Sequence, residues 1–430
     1  MTPAPMPALN DLALGLHGYD ADDLPVDVAR AFIARMLPRV QAVEHLSLRA
    51  SLGRVLAQDI VSTIPVPPQD NAAMDGYAFR GSELRAVGAV TLTVAATELA
   101  GQVIGQAIAA GQCVRIMTGA VMPAGLDTVV PQEFVTVDGD RITVPADAVK
   151  PGANRRLAGE DLARGSIALH AGRALRPADL GLIASLGRGE LPVWRRPRVA
   201  FFSTGNELRS VGETLDEGCV YDSNRYTLWG MLRRLGVEVL DLGVVRDEPA
   251  ALEAALRHAV ENADVVITSG GVSVGEADHT RAVMARLGEV LFWRIAMRPG
   301  RPMAVGRIAS NGREAVLFGL PGNPVAVMVG FYAFVRDALL AMSGATVWPL
   351  PMLQARCTTL IRKRPGRTEY QRGIVSRAAD GAWQVAITGA QGSGVLRSMS
   401  EANGLVVLPH AQGDVAAGSV VEILPFDGLV

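Results

Sequence analysis

The sequence predicts an α/β multidomain protein. It comprises a doubly wound, mostly parallel sheet domain, a helical domain with a β-rich insertion, and a C-terminal β-barrel-like domain. Three observations predict it. Between 195 and 345, short apolar runs alternate with helical periods, the pattern of parallel strands joined by right-handed crossovers. Between 67 and 161, strand-like runs alternate with Gly- and Asp-rich turns. After about Trp348 short strands return.

Residues 1–24 are Pro- and Ala-rich without a sustained period and read as a loose arm. Val26, Ala29, Phe32, Ile33 and Met36 form the stripe of an amphipathic helix, and Leu46 to Leu56 reads as a second helical piece. Residues 25–66 and 162–194, the latter with a helix from Pro177 to Leu186, are expected to pack as one helical domain interrupted by the insertion. Strands are expected at Ala89–Ala95, Cys113–Met117, Thr128–Pro131 and Arg141–Val144 within that insertion, 67–161.

From Arg195 the order is strand Val199–Phe202, helix Asn224–Leu235, strand Val237–Leu242, helix Pro249–Val260 and the buried strand Val265–Ser269. Helix Thr280–Leu287, strands Val290–Ile295 and Ala315–Phe318, and a long helix from Val325 complete 195–345. The last domain, 346–430, has strands at Leu353–Thr359, Gln371–Ser376, Trp383–Ala386, Gly404–Leu408 and Val420–Leu424.

A net charge of -2 over 430 residues gives no global attraction to nucleic acid or an anionic membrane. Cys113, Cys219 and Cys357 lie far apart, which argues against a zinc site or a disulfide framework and fits a reducing cytoplasm. The N-terminus lacks a basic signal region, and the longest apolar run, Val325 to Val335, is short of the ~20 residues of a membrane span.

Three of the doubly wound strands end in oxygen-bearing side chains: Thr204, Asn206 and Glu207; Asp247; and Ser269, Ser273, Glu276 and Asp278 after Gly270-Gly271. Carboxylates converging at one crevice repel unless a hard cation sits among them, and Mg²⁺ is usual where phosphates bind. Asp247 could equally cap the helix starting at Pro249. Leu320-Pro321-Gly322-Asn323-Pro324 lies between a strand and a helix, either a plain turn or an anion loop with free amides. It is neither a Walker motif nor a dinucleotide fingerprint. Arg294, Arg298 and Arg301 concentrate positive charge nearby, with Arg294 and Arg298 four apart on one strand face. Acids for a metal and arginines for an oxyanion suggest phosphoryl or nucleotidyl chemistry. Asp75-Gly76 alone reads as a tight turn with glycine at positive φ. His279 is the one histidine near the crevice, and a surface or packing role suits it best.

Taken in order, the blocks PPQDNAAMDGYA (67–78), RIMTGAVMPAGLDTVV (115–130), NRRLAGED (154–161), FFSTGNEL (201–208), YDSNRYTL (221–228), VVRDEP (244–249), TSGGVSVGEADHT (268–280), FWRIAMRPGRPMAVG (292–306), LPGNPVAVMVGF (320–331), RTEYQRG (367–373) and GSGVLRSMSEANGLVVLP (392–409) resemble the molybdopterin molybdenumtransferase family. These are the MoeA-type enzymes, related to the C-terminal domain of gephyrin.

The resemblance implies a four-domain subunit in a homodimer, with 195–345 as the molybdopterin-binding domain. The active site would lie between that domain of one subunit and the β insertion of the other. The implied reaction takes adenylylated molybdopterin and molybdate and, with Mg²⁺, yields molybdenum cofactor and AMP. A molybdopterin adenylyltransferase and apo-molybdoenzymes would be transient partners. By motif match, Asp70, Thr118, Arg156, Asp161, Glu207, Asp247 and Asp278 are implied as catalytic, with Glu207, Asp247 and Asp278 at the metal. Ser269, Gly270, Gly271, Ser273, Arg294, Arg298, Arg301, Pro321, Gly322, Asn323, Pro324, Arg372 and Ser393 are implied in ligand binding, with Arg298, Arg301, Arg372 and Ser393 at molybdate. The family often has lysine where Arg281, Arg294, Arg298 and Arg301 stand, and serine at Ala326. Adenylylation of molybdopterin and a non-catalytic scaffold are the alternatives.

Overall fold

Val265–Ser269, apolar or hydroxyl-bearing and buried throughout, lies inside a six-stranded sheet in the computed structural model, which describes residues 8–272 and 278–428, without the side chain of Asp278. The strand order is Glu238–Val245, Arg198–Thr204, Val265–Ser269, Arg313–Leu320, Pro302–Ser310, Gly288–Arg294. The first four are parallel and the last two add antiparallel. Alternation along each strand feeds two cores. Val199, Phe201, Val265 and Ile267 face one, with Leu228 and Leu232 of helix Ser223–Leu235 and Val327 of the helix after Pro324. Ala200, Phe202 and Val266 face the other, with Leu252 and Leu256 of helix Pro249–Asn262 and Val283 of helix Asp278–Leu287. The sheet is therefore doubly wound.

Strand Pro302–Ser310 has no counterpart in the expected elements. It pairs with Arg313–Leu320 across Asn311-Gly312, both at positive φ (48° and 73°), the two-residue turn whose twist matches a hairpin. The helical stretch Pro324–Met342 contains a π-helical turn at Phe331–Val335. Its 19 residues are long and apolar enough to cross a membrane, but 72% of the apolar window is buried in the fold, as in a core helix.

Two packing units divide the chain: Met1–Glu44, Gly53–Ala57 and Val193–Val430; and His45–Leu52 with Gln58–Pro192. This division cuts across the expected helical domain. Helix Val26–Met36 buries Phe32 and Ile33 in the core of the doubly wound sheet, whereas helix Pro177–Ser185 belongs to the other unit. Leu46 to Leu56 is not a helix. Strand Val43–Ser47 runs into a single 3₁₀ turn, Arg49–Ser51, and Gly53 sits at φ +71°, which breaks a helical path. From residue 8 the N-terminal arm is docked: Leu9 is buried, Leu24 pairs beside Ile295, and Trp293 Nε1 donates to Tyr19 Oη at 2.9 Å.

In the first unit, strands Thr368–Arg377, Trp383–Ile387, Leu353–Cys357, Val420–Pro425 and Gly404–Leu408 close into a five-stranded barrel. The short strand Met297–Arg298 adds parallel to its edge at Thr368 and Glu369. The second unit centres on a six-stranded sheet ordered Thr128–Pro131, Gly76–Phe79, Gln112–Ile116, Val90–Glu98, Arg141–Val144, Thr136–Asp138.

Phe32 packs edge-on against Trp293, with centroids 5.1 Å apart at 90°, and is fully buried. Phe32→Ala should destabilise the unit carrying it by about 3–5 kcal/mol, read as a lowered urea midpoint for the Trp293 fluorescence transition.

Candidate active site

The parallel strands end at one edge, so the loops after Thr204, Val245, Ser269 and Leu320 converge there. They enclose a cleft of about 830 Å³ lined by Glu207, Asp247, Ser269, Gly270, Gly322 and Asn323, among others. Backbone approach is close. Gly270 N–H donates to Leu320 O at 3.0 Å, and a Cβ on Gly270 would stand 2.4 Å from Thr204 O. Gly270 (φ +97°) and Gly271 (φ +69°) both occupy the left-handed region.

Asn224, in the first turn of helix Ser223–Leu235, ties two of these loops together. Its Nδ2 donates to Ser269 Oγ at 2.8 Å and to Gly322 O at 2.6 Å. It escaped the site residues expected from sequence, because a polar residue two positions after the capping Asp222 does not by itself show which loops its side chain reaches. Thr204 Oγ1 and Asn224 Oδ1, both at the cleft wall, have no hydrogen-bond partner among the described residues.

Asp247 does not cap the following helix. Glu248 occupies the cap position without a side-chain bond, and Thr280 Oγ1 donates to Asp247 Oδ1 at 3.3 Å. Glu207 and Asp247 therefore supply two hard oxygen donors to one cleft, which suits a hard cation. No group of three or more His, Cys, Asp or Glu assembles as a metal site among the described residues. Ser273, Glu276 and the side chain of Asp278 lie outside them. His279 is exposed and lines the cleft.

Pro324 takes the first helical position after Asn323, and Gly322 and Asn323 are exposed. Val325 N–H donates to Ser393 O at 3.0 Å, which places Ser393 at this helix start. Arg294 and Arg298 do not share a strand: Arg294 ends Gly288–Arg294, and Arg298 belongs to the barrel-edge strand. The chain leaves the first ladder at Ile295, where Leu24 pairs instead. Both arginines are exposed, and Arg301 lies 3.6 Å from Asp23 Oδ1. Arg372 is buried at 1% exposure, and burial, with Arg298 secondarily, pushes its pKa below the ordinary value.

In the other unit, Asp70, Thr118 and Arg156 gather around the short pair Asn71–Ala72 and Arg155–Arg156. Arg156 pairs with Asn71, Ala158 N–H donates to Asp70 Oδ1 at 2.8 Å, and Gly119 N–H donates to Ala72 O at 2.8 Å. Asp161 lies farther along, its amide on Val66 O at 3.1 Å. Gly76 is not a positive-φ turn residue. It opens a strand, and a Cβ there would meet Val130 O at 2.0 Å, so close strand approach is what requires glycine. Thr118 donates to Asp75 Oδ1 from its hydroxyl (2.6 Å) and its amide (2.7 Å), holding that carboxyl below its usual range.

The order of these parts is also that of three family models. The MoeA N-terminal region (domain I and II) matches 24–187, the probable molybdopterin binding domain 200–341, and the MoeA C-terminal region (domain IV) 354–426. Fold and cleft thus define a protein built around a molybdopterin-binding type of α/β domain. The chain is 41% identical to the molybdopterin molybdenumtransferase of Haemophilus influenzae, covering 95% of this chain and 100% of that one. It is 36% identical to that of a Nostoc species, covering 95% of each. The crystal structure of the molybdopterin biosynthesis moeA protein from Pyrococcus horikoshii matches with a TM-score of 0.81 at 29% identity, over 94% of this chain and 100% of that one. The chain belongs to the molybdopterin molybdenumtransferase family.

Gly270→Ala should cost more than about 1 kcal/mol in thermal unfolding, because a Cβ meets backbone oxygen in a strained conformation. Thr118→Val should raise the Asp75 pKa toward the ordinary carboxylate value, read by carbon NMR titration. The sign follows from a depressed folded-state pKa: the Thr118–Asp75 interaction holds above the ordinary carboxylate pKa and is lost as pH falls through the folded value.

Proposed function

We propose that the protein inserts molybdenum into molybdopterin: it takes adenylylated molybdopterin and molybdate and releases molybdenum cofactor and AMP. The observation that carries this reading is that Glu207, Asp247 and the exposed loop Gly322-Asn323 line one cleft, in a chain matched along its length by the molybdenumtransferase family. Gly270, Gly271 and Gly322 let backbone approach the nucleotide and its phosphates, and the amides at the Pro324 helix start favour negative charge. Arg298 and Arg301, beside the cleft in sequence and exposed, attract the molybdate dianion as substrate. Glu207 and Asp247, with Asp278, would hold Mg²⁺, which when bound would neutralise pyrophosphate charge. The protein residues orient the reacting groups and stabilise charge.

The proposal includes a homodimer in which the cluster around Asp70, Thr118 and Arg156 of one subunit serves the cleft of its partner. It also includes a cytoplasmic setting, which the three unpaired cysteines favour. An adenylylating enzyme would supply the substrate, and apo-molybdoenzymes would take the product.

The test is a single-turnover assay with adenylylated molybdopterin, Mg²⁺ and molybdate, following AMP release and reconstitution of an apo-molybdoenzyme. Asp247→Asn keeps an oxygen for Thr280 but loses the charge. It should slow molybdate-dependent AMP release about 100-fold or more, with the melting temperature preserved. A wild-type rate in that variant, or no AMP release by the folded parent protein, would reject the reading.

A further inference from the structure

We propose that Asn206 is a substrate-binding residue: its side-chain NH2 donates to a phosphoryl oxygen of the nucleotide held in the cleft. This rests on the reading above, in which an adenylylated substrate occupies that cleft. Asn206 follows strand Arg198–Thr204 and Gly205, is exposed, and lines the cleft together with Glu207 and Asp247.

Three hydrogen bonds fix its place. Leu208 N–H donates to Gly205 O at 3.2 Å and closes a tight turn with Asn206 inside it. Arg209 Nη1 donates to Asn206 O at 3.0 Å. The side chain reaches the neighbouring strand end, where Asp247 N–H donates to Asn206 Oδ1 at 3.3 Å. Strands Arg198–Thr204 and Glu238–Val245 are adjacent and parallel, so this bond joins the loops that follow them. It also settles which way the amide faces. A backbone N–H can only donate, so the atom it meets is Oδ1, and a flipped side chain would set two donors against each other. Nδ2 is therefore turned away from the Asp247 amide with both its hydrogens. Among the described residues no side chain or carbonyl accepts from it.

The kind of donor suits its surroundings. A lysine or arginine at 206 would pair with the carboxylates of Glu207 and Asp247 and compete with a cation for them. An amide offers two hydrogen bonds and no charge. It can hold a phosphoryl oxygen while both carboxylates stay free for a hard cation. Gly205 makes room for this arrangement. A Cβ there would stand 2.6 Å from Glu207 Oε2, so the carboxylate folds back over the same turn that presents the amide.

The test compares AMP and adenosine affinity of the full-length protein by calorimetry in Mg²⁺ buffer. Asn206→Ala removes the donor. It should weaken AMP about tenfold or more, as for a hydrogen bond to a charged group, and leave adenosine within about twofold. Asn206→Asp keeps an acceptor for the Asp247 amide, and so the tie between loops, but has no N–H to give. It should weaken AMP at least as much with the melting temperature preserved. Unlike repulsion by the new charge, that loss should survive about 0.5 M salt. Equal weakening of AMP and adenosine in Asn206→Ala would mean that the residue only ties loops, and would overturn the proposal. Wild-type AMP affinity in either variant overturns it too, as does a loss confined to adenosine, which would place the contact on base or ribose. If Asn206→Ala does not fold, Asn206→Asp at high salt decides alone. A parent protein that binds AMP but releases none from adenylylated molybdopterin loses only the functional reading. One that binds no AMP loses both.

Discussion

The structure of the cleft depends on how closely the backbones at the carboxyl ends of neighbouring parallel strands can approach. Parallel pairing puts the loops after Thr204, Ser269 and Leu320 at one edge, and Gly270 lets two of them touch through its amide and its bare Cα. Farther down the same edge, a Cβ on Gly319 would meet Val272 at 2.8 Å and Ala304 at 2.9 Å, so strand packing beneath the cleft obeys the same limit. Asn224 adds what backbone alone cannot, a side chain bonded to two loops at once. Without that tie, Gly322 and Ser269 would each need water or a ligand to replace the donor. The acids then face a cleft whose floor is fixed, which is what charge stabilisation without reorganisation requires.

A second constraint joins the arginine turn to the barrel. The sheet that carries Arg294 ends there, and three residues later Met297–Arg298 pairs with Thr368 and Glu369. Arg298 is thus registered against the strand that also bears Arg372. The barrel closes on itself through Gly404–Leu408, so that strand is held on both sides. Position therefore passes from a closed barrel to the exposed Arg298, and through Ser393 to the Pro324 helix start.

Much of this was legible in the sequence because period and burial agree. Val265–Ser269 is apolar on both faces because both faces are covered, and it was read as buried for that reason. Pro249 and Gly236 marked a helix start and a helix end, and both hold, Gly236 at φ +80°. Pro302–Ser310 was missed because Arg298, Pro299, Arg301 and Pro302 at and before its start looked like a charged turn, while the Asn311-Gly312 hairpin signal lay unused beyond it. Leu46–Leu56 was misread because apolar spacing in a short segment cannot distinguish a helix from a strand followed by one tight turn. At the site, Glu207 and Asp247 were placed by their strand ends. Asn224 and the burial of Arg372 were not visible, because both follow from contacts across long sequence separations.

The arginines of the site require a chain-wide view. Of 41 Lys and Arg, only Lys150 and Lys363 are lysine, so arginine at 281, 294, 298 and 301 reflects the whole composition and not a choice made at the cleft. The lysine kept in the barrel shows where the exchange fails. Lys363 is buried, and its Nζ donates to Arg364 O at 3.1 Å, His410 O at 3.2 Å and Gln412 O at 2.7 Å. Three acceptors around one point suit the three donors of an ammonium and cannot be met by a planar fork. Arg372 is the converse, with acceptors spread along a loop and one serine that only a fork can span. Exposed Arg298 and Arg301 face neither demand, and there either cation would draw an oxyanion. At these positions the cation type is free to follow composition, and the enclosed positions are where geometry dictates it.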